Sequence, residues 1–152
     1  MHWFLDLLPT ILTLLGIALS IVLTASGSSK GAAMIGKAAS ALISEQPEKF
    51  GQSLVLQMMA ASQGLYGFIV GFLIFMNLGD GLTLTASLEY LGAGAVMGLA
   101  GYFTAIQQSV QATAGIQILA KKPEHSTKGV LYSAMIETFA IFAFVISVLI
   151  VL

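Results

Sequence analysis

The chain has 152 residues, of which 57% are hydrophobic and 9% charged, with a net charge of −1 at pH 7. Soluble domains carry roughly a quarter charged residues, so a water-soluble monomer is excluded. Without arginine or any acidic or basic tract there is no nucleic-acid surface, and without cysteine there are no disulfides or thiolate metal sites.

The first 26 residues are apolar but lack the basic residues that precede a secretory signal, and they read as a retained first span. Stretches 7–29, 50–79, 90–120 and 129–152 contain a single acid or base, Glu137. Each is long enough to cross about 30 Å of hydrocarbon, which takes roughly 20 helical residues, and the second and third are long enough to protrude. Short connections at 44–49, 77–82 and 121–128 make consecutive helices antiparallel neighbours. The expected fold is therefore an all-α membrane protein with four transmembrane helices. They form one domain, 1–152, made of hairpin one (1–79) and hairpin two (80–152).

All six lysines (Lys30, Lys37, Lys49, Lys121, Lys122, Lys128) lie at or near the first and third connections, with Asp6, Asp80 and Glu89 on the other side. By the positive-inside tendency the loops at Pro47 and Pro123 are cytoplasmic and both termini are outside. Laying Pro47-Glu48 on Pro123-Glu124 matches the following helices without a gap: Met59 with Met135, Ser62 with Thr138, Tyr66 with Phe142, Phe68 with Phe144. This reads as tandem duplication, with Ala61 standing where the second copy has Glu137. Gly27 and Gly31 on the first helix, and Gly92, Gly94, Gly98 and Gly101 on the third, let backbones approach closely. They are expected to line the inner wall of a crowded ring and to pack against neighbouring subunits.

Glu137 is the candidate functional centre, because an ionised group near the bilayer centre costs a few kcal/mol or more and usually serves transport. It lies 14 residues past Pro123, Gln63 lies 16 past Pro47, and Gln108 lies 15 before Pro123. At 1.5 Å per residue all three share a level about 21 to 24 Å from the proline side. Ser62 and Tyr66, four apart, extend the cluster along one helix face. A carboxylate, two amides and a hydroxyl form an oxygen-only set suited to a hard cation, and sodium is preferred because two buried glutamines are costly unless something coordinates them. Protons at the same carboxyl are the alternative, as is hydrogen-bonding glue for the glutamines. Periodicity alone does not choose between Gln107 and Gln108.

The runs Gln63-Gly64-Leu65-Tyr66-Gly67-Phe68, Gly115-Ile116-Gln117-Ile118-Leu119-Ala120-Lys121-Lys122-Pro123-Glu124-His125 and Met135-Ile136-Glu137-Thr138 resemble the rotor-ring proteolipid of bacterial sodium-translocating V-type ATPases. The resemblance implies that Na+ is bound by Glu137, Gln63, Gln108, Ser62 and the backbone carbonyl of Met59, with Tyr66 bonding the glutamate. It favours Gln108 over Gln107. It further implies a homo-oligomeric ring, a stator membrane subunit that presents an arginine, a central-stalk subunit at the cytoplasmic loops, and ATP hydrolysis in other subunits. Two departures stand out: Ser62 replaces a threonine, and Ala60-Ala61 replaces a proline-glycine pair. The second is expected to give a straighter helix and a weaker Met59 contact.

A small four-helix secondary transporter would need further polar contacts along an access path, and a pore would need a polar stripe; neither pattern is present. An enzyme lacks support, since the only histidines are His2 and His125 and no nucleophile has a base. Lys30, 17 residues before Pro47, lies roughly 25 Å along its helix, at the level of Glu137. Pairing with Glu137 would oppose cation binding, so Lys30 is expected to face the ring's central opening and meet an anionic lipid headgroup.

Overall fold

The computed structural model describes residues 2–79 and 81–152, with side chains from residue 6 onward, so Asp80 and the side chain of His2 lie outside the described residues. Four helical legs run antiparallel: α1 (His2–Glu45), a second leg made of α2 (Phe50–Met58) and α3 (Ser62–Met76), then α4 (Leu84–Lys121) and α5 (Ser126–Val151). The longest are α1 and α4, with 44 and 38 residues. The first helix thus runs well beyond the ion-free stretch 7–29. Lys30 and Lys37 carry no helix-breaking chemistry, and nothing stops the helix before Pro47.

Proline sets both ends of the hairpins. A residue preceding proline is pushed out of the α region, and Gln46 (φ −136°, ψ 70°) and Lys122 (φ −145°, ψ 76°) adopt nearly the same extended conformation. Each is followed by a single 3-10 turn, Pro47–Lys49 and Pro123–His125, that reverses the chain. Between the hairpins Gly81 takes φ +90°, open to glycine at little cost, and Thr83 caps α4 by accepting from the Ala86 amide at 3.2 Å.

The repeat extends to single hydrogen bonds. Gln57 donates to the Ala32 carbonyl at 3.3 Å, and Ser133 donates to the Gln108 carbonyl at 3.4 Å; both members of the pair are displaced by 76 residues (133 − 57 and 108 − 32). Pro47 and Pro123 show the same displacement.

Helices α1 and α4 pack along their length through small residues. A Cβ on Gly27 would meet the Tyr102 backbone, one on Gly94 or Gly98 the Gly16 or Leu19 backbone, one on Gly31 Ser109, and one on Gly101 Thr24. These glycines are therefore consumed inside one chain, not reserved for neighbouring subunits as expected; of the six only Gly92 faces open space. Sequence spacing reveals a close approach but not the partner. At the proline end the buried Lys49 ammonium donates to the Leu119 and Ala120 carbonyls, at 3.0 and 3.1 Å, which satisfies the last carbonyls of α4 and suits the helix dipole.

Three legs are long and apolar enough to span a membrane: Asp6–Glu45, Pro47–Met76 and Pro123–Val151. The fourth, α4, is the most enclosed, with Ser87, Gly94, Gly98, Gly101, Gln108 and Ser109 buried against the others. Its lower apolarity thus reflects contact with protein. Two apolar clusters, one around Ile35, Leu56 and Leu119 and one around Val70, Ile74 and Met97, leave a polar layer between them.

Candidate ion site

The polar layer is built from three legs. Tyr66 on α3 donates its hydroxyl to Glu137 Oε1 at 2.8 Å, and Gln108 on α4 donates Nε2 to Glu137 Oε2 at 3.4 Å. Gln63 donates Nε2 to Gln108 Oε1, and Ser62 Oγ donates to Gln63 Oε1 at 3.3 Å. Ser62 Oγ is also 3.0 Å from the Met59 carbonyl. All six residues named from the sequence for this centre thus form one connected group. Gln63 and Gln108 are fully buried, Glu137 is half-buried, and Gln107 is exposed. Burial therefore separates the two adjacent glutamines.

The second leg departs from regular α geometry even without proline and glycine. It tightens into a single 3-10 turn at Met59–Ala61, beside the site, with the backbone in the right-handed helical region on both sides. Two contacts to α1 accompany the turn. Ala60 is fully buried where a Gly31 Cβ would approach its own at 3.1 Å, and the Gly64 amide, in the first turn of α3, donates to Ser28 Oγ at 2.8 Å. The first amides of a helix lack intrahelical partners, so Ser28 satisfies one of them. Ser28 was not singled out in the sequence, where an apolar helix with scattered serines gives no hint of which one reaches a neighbouring backbone.

Lys30 is exposed and donates from Nζ to the Tyr102 hydroxyl at 3.0 Å, with the ammonium 5.2 Å from the centre of the same ring. It makes no hydrogen bond to Glu137. Tyr102, another residue the sequence did not flag, occupies this lysine, and a single tyrosine on an apolar helix carries no periodic signal.

One carboxylate with neutral oxygens around it has a simple electrostatic consequence: a single monovalent cation cancels its charge, whereas a divalent ion would leave one positive charge in the membrane. Among the described residues no cluster of three or more His, Asp or Glu suited to a polyvalent metal occurs. The amide oxygens of Gln63 and Gln108 are now held by protein donors. Cation binding would exchange those donors for the ion, and the long Gln108–Glu137 contact is the weakest of the set.

The sequence pattern of the ATP synthase C subunit family matches residues 15–74 and again 91–150. The second match begins and ends 76 residues after the first (91 − 15 and 150 − 74), the displacement seen in the hydrogen bonds. The V-type sodium ATPase subunit K of Enterococcus hirae is 51% identical over 142 residues, 93% of this chain and 91% of the relative. The A-type ATP synthase subunit K of Methanocaldococcus jannaschii is 33% identical over 93% of this chain and 62% of its own length. The V-type proton ATPase 16 kDa proteolipid subunit of Entamoeba dispar is 27% identical over 89% of this chain and 77% of its own length. With a hairpin matched in each half and the repeat visible in the backbone, the chain belongs to the ATP synthase C subunit family.

Proposed function

We propose that this chain is the ion-carrying subunit of a rotary V-type ATPase, and that each copy in a ring of identical chains binds one sodium ion at Glu137. The observation that carries the reading is the chain of hydrogen bonds from Ser62 through Gln63 and Gln108 to Glu137, closed by Tyr66. It gathers neutral oxygens around a lone carboxylate halfway along the helices. The Enterococcus hirae relative, a subunit of a sodium ATPase, supports the choice of ion. Glu137, Gln63, Gln108, Ser62 and the Met59 carbonyl are the ligands, and Tyr66 holds the carboxylate in place.

A loaded site is neutral and can face acyl chains as the ring turns, while an ionised empty carboxylate cannot do so cheaply. Where the ring meets a stator subunit, an arginine there competes for Glu137 and releases the ion. The central stalk engages the loops at Pro47 and Pro123 on the cytoplasmic side, and the termini lie outside. Hydrolysis of ATP takes place in other subunits, so this chain needs no catalytic group. Lys30 faces the central opening, where an anionic lipid headgroup meets the ammonium beside Tyr102.

Carbodiimide labelling of Glu137 tests the ion, because the reagent attacks only a protonated carboxyl. Millimolar sodium should protect the residue at a pH where equal potassium does not. Equal labelling in the two salts would put protons in place of sodium.

A further inference from the structure

The ion site lies between the two hairpins of one chain, and a ring of such chains contains a second kind of hairpin junction, between hairpin two of one copy and hairpin one of the next. If the repeat is carried across that junction, each residue of the ion site has a counterpart 76 positions away. Phe139 stands for Gln63 (139 − 63), Ala32 for Gln108 (108 − 32) and Ala61 for Glu137 (137 − 61). We infer that neighbouring copies meet through this apolar version of the ion site, with Phe139 of one copy seated against Ala32 and Ala61 of the next. The inference rests on the ring proposed above.

Size and exposure both support it. Inside the chain three long polar side chains fill the site, and at the junction one large ring faces two methyl groups, so bulk lost on one hairpin is returned by the other. The residues inside the chain are occupied, with Gln63 and Gln108 fully buried. Their counterparts are free for a partner: Phe139 is 63% exposed, Ala61 is exposed and Ala32 is partly so.

The same shift exchanges large and small side chains at two further points. Gly27 lies against Tyr102 within the chain, and the matching pair across the junction is Phe103, 60% exposed, beside Ser26. Gly31 lies against Ser109, and the matching pair is Gln107 beside Ala33, both exposed. In each pair the bulkier residue stays on α4 and the smaller on α1, so glycine contacts made inside the chain become side-chain contacts between copies. This also gives Gln107 a location that the ion site denies it. A polar tie at the proline end follows the same rule: Lys49 grips the end of α4, and His125, its counterpart, comes to the Ile43 and Ser44 carbonyls at the end of the neighbouring α1.

A membrane chain without cysteine is suited to the test, since any introduced pair is unique. The double variants Ala61→Cys with Phe139→Cys, and Ala32→Cys with Phe139→Cys, should each be assembled, checked for a ring on a native gel, oxidised, and run in denaturing detergent. Disulfide-linked ladders of two, three and more copies, absent from the single-cysteine variants, are the expected result from at least one pair. An intact ring in which both pairs stay monomeric, or close a disulfide within one chain, would overturn the inference by showing that Phe139 faces lipid or its own chain. Failure of the unaltered chain to form any ring counts instead against the proposed function. Mixed rings of Ala61→Cys chains and Phe139→Cys chains should give linked pairs but no longer ladders.

Discussion

In the first hairpin the second leg tightens into a 3-10 turn at Met59–Ala61; in the second hairpin the equivalent residues 135–137 run through α5 without interruption. The two copies hold the same proline turn and the same α-to-α hydrogen bond, from Gln57 to Ala32 and from Ser133 to Gln108, and then diverge at one level. The tightened copy supplies Ser62, Gln63, Tyr66 and the Met59 carbonyl, while the continuous copy supplies the carboxylate. Duplication has been resolved into division of labour. One hairpin presents neutral oxygens beside a tightened helix turn, and the other presents the carboxylate from a continuous helix, so the chain holds one such cluster instead of two.

The largest break in that comparison comes from removing the charge. Glu137→Gln keeps the shape and the Tyr66 contact but leaves nothing to cancel a cation's charge in the membrane. Sodium binding and sodium-dependent transport should be lost altogether, as read by radioactive sodium uptake into vesicles. Retained uptake would remove Glu137 from the centre of the scheme.

Next come the neutral partners. Gln63→Ala and Gln108→Ala each leave a buried polar group short of a contact, a cost of about 1–3 kcal/mol. Sodium affinity should fall roughly 5- to 150-fold, which sodium protection against carbodiimide measures directly. Gln107→Ala, on the exposed face, should leave the affinity within about twofold, the scale of ordinary surface changes. Unchanged affinity in both buried variants would make the glutamines interhelical glue. Tyr66→Phe removes one bond to the carboxylate while leaving every proposed ligand, so its effect should be smaller, about 1 kcal/mol. It should show chiefly as faster carbodiimide labelling of Glu137 when sodium is absent.

Sequence made the large features legible because apolarity and proline act locally. A lone acid, four ion-free stretches and two Pro-Glu turns were enough to place the hairpins, their register and the shared depth of Gln63, Gln108 and Glu137. Contacts decided by a partner were not legible. Glycine spacing on α1 and α4 announced close packing, but only the assembled chain shows that Gly27, Gly31, Gly94 and Gly98 pack inside it. Lys49 read as a loop charge and is a buried cap on α4. Lys30 is expected to meet a lipid headgroup, and its hydrogen-bond partner within the chain, Tyr102, is 72 residues distant and gives no local sign. The 3-10 turn is the clearest case: Ala60-Ala61 holds neither proline nor glycine, so the residues there offer no local reason for a departure from α geometry. The turn coincides instead with contacts from α1, at Gly31 and Ser28.

That last point yields the smallest predicted effect and the most specific one. Ser28→Ala removes the hydroxyl that accepts the Gly64 amide, and Ser28 is not a proposed ion ligand. If the bond helps hold the 3-10 turn, the Met59 carbonyl and Ser62 become less well placed without it, and sodium affinity should drop about two- to threefold, the lower end of the cost of a single hydrogen bond. The repeat supplies a matched control. Thr104 is the counterpart of Ser28 (104 − 28 = 76), but its hydroxyl donates to Ala100 within its own helix, at 2.7 Å, and α5 is unbroken. Thr104→Ala should therefore leave sodium affinity unchanged. Equal losses in the two variants would mean that the hydroxyls only stabilise their helices, and that the 3-10 turn at Met59–Ala61 owes nothing to α1.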